Sequence, residues 1–185
     1  MIKIPKLSTE RLILRRFEAS DAADVQRLAG AREIAATTLN IPHPYEDGLA
    51  ESWIASHEEG LEKETHVVFA MIRAREQDLI GAIGLNLVPK FQRAELGYWV
   101  GKSFWGRGFA TEAAFEMLRY GFEDLQLNRI HATHMTHNPA SGAVMKKIGM
   151  KHEGIQRQHA LKWDKYVDLS LYGILSKAWR KNQNL

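Results

Sequence analysis

The chain has no cysteine among its 185 residues. That excludes disulfide staples and thiol nucleophiles, leaves any catalysis to other groups, and suits a reducing compartment. Proline is scarce, at five residues, and neither charge dominates: 25 Lys and Arg stand against 22 Asp and Glu, a net charge of +3. The mildly basic pI of about 9.1 would attract a polyanionic small molecule or nucleic acid, and the charge is too small to decide between them. No apolar run approaches the roughly 18 residues that cross a bilayer, and Met1 to Lys6 lacks the apolar stretch of a signal peptide. A cytoplasmic protein with no membrane partner is expected. What is present, 45% hydrophobic residues over this length, suffices for one sizeable core, so residues 1–185 read as a single domain.

Periodicity gives the elements. Arg11 to Phe17 alternates Leu12 and Leu14 with Arg11, Ile13 and Arg15, the pattern of an opening strand. Ser20 sits where an N-cap belongs, ahead of Ala22, Val25, Leu28 and Ala29 at helical spacing, with Gly30 as the stop. Thr37 to Gly48 contains Pro42 and Pro44 and reads as a loop, followed by an amphipathic helix over Leu49–Leu61. Three strands are expected at His66–Ile72, Leu79–Val88 and Arg93–Val100, then a helix over Phe109–Leu125 and a strand at Arg129–Met135. A crossover helix between strands implies a parallel pair. Asn138 caps a helix over Pro139–Ile148 that Gly149 ends, and strands at Lys151–Leu161 and Tyr166–Leu175 finish the chain. The fold class is α/β, an α+β arrangement with a mixed sheet.

The segment from Glu95 to Glu112 is the most informative. A strand runs into a turn with Gly106 and Gly108 and opens a helix, so backbone N–H groups can approach an anion without Cβ interference, beside the unsatisfied amides of a helix start. Arg107 can add a charged donor. The turn lacks the Gly-Lys-Ser/Thr ending of a Walker loop and the dinucleotide fingerprint. It matches instead the pyrophosphate loop of the GNAT superfamily of N-acetyltransferases, Gln/Arg-x-x-Gly-x-Gly/Ala, at Trp105-Gly106-Arg107-Gly108-Phe109-Ala110, with Trp105 departing at the first position. The preceding Glu95-Leu96-Gly97-Tyr98-Trp99, the block from Asn138 to Met150 and the opening Thr9-Glu10-Arg11-Leu12 resemble the Rim-type subgroup, which acetylates protein N-termini, over nearly the whole chain.

The resemblance implies a mostly antiparallel sheet, splayed where acetyl-CoA enters and flanked by helices. It assigns the pantetheine arm to the backbone of Tyr98, Trp99 and Val100. The pyrophosphate falls to the backbone from Gly106 to Thr111, which includes Arg107, Gly108, Phe109 and Ala110. Asn138 is assigned a bond to the pantetheine, beside its alternative as a plain helix cap. Glu95 is the implied proton acceptor, directly or through a water, the alternative being a salt-bridged edge glutamate. Many GNAT enzymes carry an acidic tyrosine on the last short helix; Met145 stands there, and Ser141 occupies the place of the subgroup's proposed acid, or else is a helix serine bonded to a backbone carbonyl. The oxyanion falls to a backbone N–H of the splayed strand.

Other features carry less. His131, His134 and His137 alternate faces on a strand and cannot converge on one ion, so no metal is expected. Lys146 and Lys147 could reach the adenosine 3′-phosphate and stay unassigned, since basic residues belong at a helix C-terminus anyway. The acceptor is an amine, a protein N-terminus first and a polyamine or other small amine second; the acidic residues Glu46, Asp47, Glu51, Glu58, Glu59, Glu62 and Glu64 would favour a cation if they faced the cleft, or else form a solvated helix face. A homodimer is left open. Two readings of another class are a non-catalytic CoA-binding module and an RNA or ribosome binder, although no dedicated nucleic-acid motif is present.

Overall fold

The computed structural model describes residues 4–183. Eight strands form one sheet: β1 (Leu7–Ser8), β2 (Leu12–Arg15), β3 (His66–Arg73), β4 (Leu79–Val88), β5 (Arg93–Val100), β6 (Arg129–Met135), β7 (Lys151–Lys162) and β8 (Lys165–Leu175). Six helices flank it: α1 (Ala22–Ala29), α2 (Arg32–Thr37), α3 (Leu49–Glu62), α4 (Phe109–Arg119), α5 (Pro139–Lys147) and α6 (Ser176–Gln183). The strand order is β1-β2-β3-β4-β5-β6-β8-β7, antiparallel throughout except for β5 and β6. The expected parallel pair is therefore β5–β6, and α4 is the crossover that joins it.

Alternation along each strand builds two cores. Leu12, Leu14, Phe69, Met71, Ile83, Leu85 and Leu96 turn to one face, where Phe109, Ala113 and Met117 of α4 cover them. Ala70, Ile72, Ala82 and Trp99 turn to the other, against Val25, Leu28, Ile34 and Ala50 of α1, α2 and α3. Ala70 and Ala82 leave room on this second face for the three helices to lie against the sheet. The site sits where both layers meet the β5–β6 seam.

Several expectations shift. Ser20 is not the cap of α1: it lies inside a 3₁₀ turn (Ala19–Asp21), and Asp21 organises the helix start instead. Its buried carboxylate accepts from the Glu18 N–H and from both Arg15 Nη1 and Nη2, each at 2.8 Å, a stronger set of partners than a serine hydroxyl offers. The stretch after Gly30 holds α2, which the sequence reading did not assign; the Thr37 and Thr38 hydroxyls donate back to the Ile34 carbonyl and close its end. The helix expected to reach Leu125 is α-helical only to Arg119. It then widens into a π turn (Tyr120–Asp124), in which the Leu125 N–H bonds the Tyr120 carbonyl five residues back at 3.0 Å. β1 and α6 were also unexpected, and Trp179 on α6 packs beside Phe122 with its Nε1–H donated to Glu123.

Candidate active site

The parallel pairing of β5 with β6 lasts for three residues, from Arg93 to Glu95 against Arg129 to His131. Beyond it β5 stays with β4 as far as Val100 and β6 stays with β8 as far as Met135, so the sheet opens into a wedge. The Gly101 N–H bonds the Ile80 carbonyl at 2.8 Å, which fixes the alternation of the β4–β5 ladder. Antiparallel residues turn their N–H and C=O groups alternately to either side. Leu96, Tyr98 and Val100 therefore point theirs into the wedge. Trp99 differs from the expectation: its backbone faces β4, although the residue lines the cavity. The Val100 carbonyl accepts the indole Nε1–H of Trp105 at 2.5 Å, leaving the Val100 N–H toward the gap. The residue that breaks the loop pattern thus braces the end of the strand.

The loop follows directly. Gly106 and Gly108 have φ of 73° and 83°, in the left-handed region that disfavours side chains. The first bond of α4 runs from the Glu112 N–H to the Gly108 carbonyl, 3.0 Å, so the preceding N–H groups have no intrahelical partner and carry the positive end of the helix dipole. The Trp105 N–H is already engaged, with the Lys102 carbonyl at 3.1 Å, so the loop amides that could meet an anion begin at Gly106. Arg107 is exposed, and Phe109 is buried in the core, so each offers backbone, with the Arg107 guanidinium free to swing in.

An unforeseen clamp holds this loop. Arg11 donates from Nε to Glu112 Oε2 at 2.7 Å, from its own N–H to Oε1 at 2.8 Å, and from Nη1 to the Arg107 carbonyl at 2.9 Å. The Thr9 hydroxyl adds a bond to Glu112 Oε1, and the guanidinium lies 4.8 Å from the Phe109 ring centroid. Burial pushes the Glu112 carboxyl up, but the bonds from Thr9 and Arg11 outweigh it and hold it below the usual glutamate range. The signal was available in Thr9-Glu10-Arg11-Leu12, but nothing in the sequence pairs it with residues a hundred positions away.

A cavity of about 700 Å³ passes through the wedge and reaches both faces of the sheet. Gly106, Gly108, Ala110, Thr111, Ser141 and Lys147 line it on one side, and Thr37 to Ile41, Trp53 and Glu95 on the other. Glu95 accepts a bond from the Thr133 hydroxyl at 3.0 Å, and it has no salt bridge among the described residues. The edge-glutamate alternative therefore lacks its partner. Asn138 does cap α5, accepting from the Ser141 N–H at 3.4 Å, and its amide also donates to the Thr37 carbonyl at 3.3 Å. Lys162 donates to the Leu39 and Ile41 carbonyls at 3.1 and 3.0 Å, so the segment beside Glu95 is tied from two elements. Ser141 shares a bond of 2.8 Å with the Tyr98 hydroxyl, a contact sequence reasoning missed because Tyr98 was read for its backbone alone.

The remaining candidates separate. His131 lies beside Glu95 in register, His134 stacks on Tyr172, and His137 bonds the Ala36 carbonyl. None of the acidic residues from Glu46 to Glu64 lines the cavity; Asp47 bonds Gln26, Glu58 pairs with Arg16, and Glu59 pairs with Lys63. Lys147 reaches the cavity wall and Lys146 does not.

Comparison with known proteins agrees with this geometry. The family model described as acetyltransferase (GNAT) domain matches residues 11–151. Uncharacterized N-acetyltransferase p20 of Bacillus licheniformis is 31% identical over 176 residues, covering 94% of this chain and 97% of its own. The (ribosomal protein uS5)-alanine N-acetyltransferase of Escherichia coli (strain K12) is 28% identical, covering 95% and 94%. In fold, the chain superimposes with a TM-score of 0.80 on spermidine N-acetyltransferase from Vibrio cholerae in complex with CoA and spermine, at 22% identity over 93% of this chain and 99% of that one. The wedge, the glycine turn and these likenesses converge: the chain belongs to the GNAT acetyltransferase family and is an acetyl-CoA dependent N-acetyltransferase.

Proposed function

We propose that the acceptor is the N-terminal α-amine of a protein, bound on the face of the sheet that carries Glu95. One observation carries this reading. Among the described residues, Glu95 is the single carboxylate lining the cavity. A polyamine keeps several nitrogens charged at neutral pH and calls for several carboxylates, whereas a protein N-terminus brings one cation, with a pKa near 8 against about 10.4 for a lysine-like amine. The acidic residues from Glu46 to Glu64 that would have favoured a polyamine face elsewhere. The Escherichia coli relative is named for an alanine of a ribosomal protein, which supports the same class.

The residues divide the work as follows. The amides from Gly106 to Thr111 hold the diphosphate of acetyl-CoA with Arg107 as an added donor, and the N–H and C=O groups of Leu96 and Tyr98 and the N–H of Val100 meet the pantetheine arm. Asn138 fixes the start of α5 against this arm. When bound, acetyl-CoA supplies the acyl thioester. Glu95, oriented by Thr133, takes the proton of the attacking nitrogen, directly or through a water. A wedge-facing N–H of β5 stabilises the developing oxyanion, and Ser141 protonates the leaving sulfur.

An acceptor screen tests the reading: peptides with free N-termini, spermidine and an aminoglycoside, each with acetyl-CoA, scored by thiol release. Peptides with a small first residue are expected to lead. A clear preference for spermidine overturns the acceptor class. Glu95→Gln is expected to lower kcat on the order of 100-fold with CoA affinity kept; an unchanged kcat removes Glu95 as the base.

A further inference from the structure

The wedge holds a second hydroxyl besides Ser141. Tyr98 projects to the face covered by α4 and α5, where its oxygen lies 2.8 Å from Ser141 Oγ and 3.2 Å from the Ser141 carbonyl, and both residues line the cavity. A serine in a helix can bond the carbonyl three or four residues back. Among the described residues the Ser141 hydroxyl makes no such bond, and its partner is the phenol. One turn further along α5, Met145 is buried in the core and has no proton to give. Among the described residues that line the cavity, the one phenol is that of Tyr98, from the strand.

We propose that Tyr98 acts through Ser141 as a positioning residue that also replenishes its proton, the two hydroxyls forming one donor unit aimed at the leaving sulfur. This rests on Ser141 as the acid. Ser141 gives its hydroxyl proton to the sulfur, which leaves the carbon with the bonding pair, and the Ser141 oxygen takes the Tyr98 proton in turn. Tyr98 is reprotonated from water, and Glu95 returns the proton of the amine to water, so protons and charge balance. Burial pushes the Tyr98 phenol up to about 12, against the opposing pull of the Ser141 bond, so it keeps its proton at neutral pH.

The experiment compares Tyr98→Phe, Ser141→Ala and the double variant. For a unit, kcat falls on the order of 100-fold in Ser141→Ala and about tenfold in Tyr98→Phe, and the double variant is no slower than Ser141→Ala. The affinity for acetyl-CoA, measured by calorimetry, stays within about twofold. A readout independent of turnover is the affinity for CoA, which in the unsubstituted enzyme should tighten from about pH 7 to about pH 9. An ordinary thiol ionises near 8.5, and the Ser141 hydroxyl, held by Tyr98, donates to the thiolate. That tightening is expected to vanish in Ser141→Ala and to shrink in Tyr98→Phe. A wild-type kcat and an undiminished pH effect in Tyr98→Phe, beside a slow Ser141→Ala, overturn the role of Tyr98 and leave Ser141 standing. A double variant slowed by the product of the two single effects also overturns the unit. A wild-type Ser141→Ala removes both.

Discussion

A β-carbon at Gly108 would lie 3.3 Å from Nη2 of Arg11, and the φ of 83° is strained for a side chain, so the turn before α4 favours glycine there. Gly108→Val is expected to abolish measurable CoA binding while the protein still folds; retained affinity would dissociate the turn from the diphosphate. Glu112→Gln acts on the same turn from behind. It keeps the shape and removes the charge that Arg11 and Thr9 grip, so CoA should bind several-fold more weakly, with kcat little changed, in a calorimetric and kinetic comparison. At this scale the sequence was readable where a turn or a cap needs a specific residue: the left-handed Gly106 and Gly108, and the cap Asn138. It was unreadable where a role depends on which way a residue faces. Trp99 and Tyr98 are neighbours on one strand, yet Trp99 turns its backbone to β4 and Tyr98 turns its own to the wedge, and only the register decides.

Among the elements, α5 joins the two halves of the site. Asn138 caps it and also reaches the Thr37 carbonyl at the end of α2. Asn138→Ala should cost about 1 kcal/mol in urea unfolding, the ordinary worth of an N-cap, and raise the acceptor KM as the Thr37 tie is lost. An unchanged stability would mean the cap is idle. The strands His66–Arg73, Leu79–Val88, Arg93–Val100 and Arg129–Met135 were legible within a residue, because alternation against a buried face leaves little freedom. α2 escaped because six residues give barely two turns of pattern, and the π turn because its one extra residue does not disturb the apolar stripe. Asp21 displaces Ser20 because its hold on the chain ahead of α1 comes from Arg15, a partner on the preceding strand.

For the whole molecule, charge sets the response to acid. Bonds to Arg73 hold the carboxyl of Asp78 below the usual range, and bonds to Arg129 do the same for Glu153; Asp21 and Glu112 end below it despite burial. Burial also pushes His57 down to about 4 and lowers His131. In every case the folded value is depressed, so the unfolded chain binds protons first and stability falls as pH falls. Melting temperature should hold above about pH 7, decline from about 6.5 toward 4 as unfolded histidines charge, and drop further below about 4 as carboxylates protonate. A melting temperature that rises on acidification would contradict this. Among the described residues no helix is long and apolar enough to cross a membrane. The mixed sheet and its parallel seam were legible from the crossover helix, while the point where β5 and β6 part was not, since neither strand changes composition there.

If acetyl-CoA enters at that parting, as proposed, backbone amide shifts in a nitrogen-15 labelled sample titrated with CoA test it most directly. The expected result is that the largest shifts fall on Gly106 to Thr111 and on the wedge-facing amides of Leu96, Tyr98 and Val100, with Trp99 and Trp105 moving less. Shifts concentrated on another surface, with the amides from Gly106 to Thr111 unmoved, would contradict it.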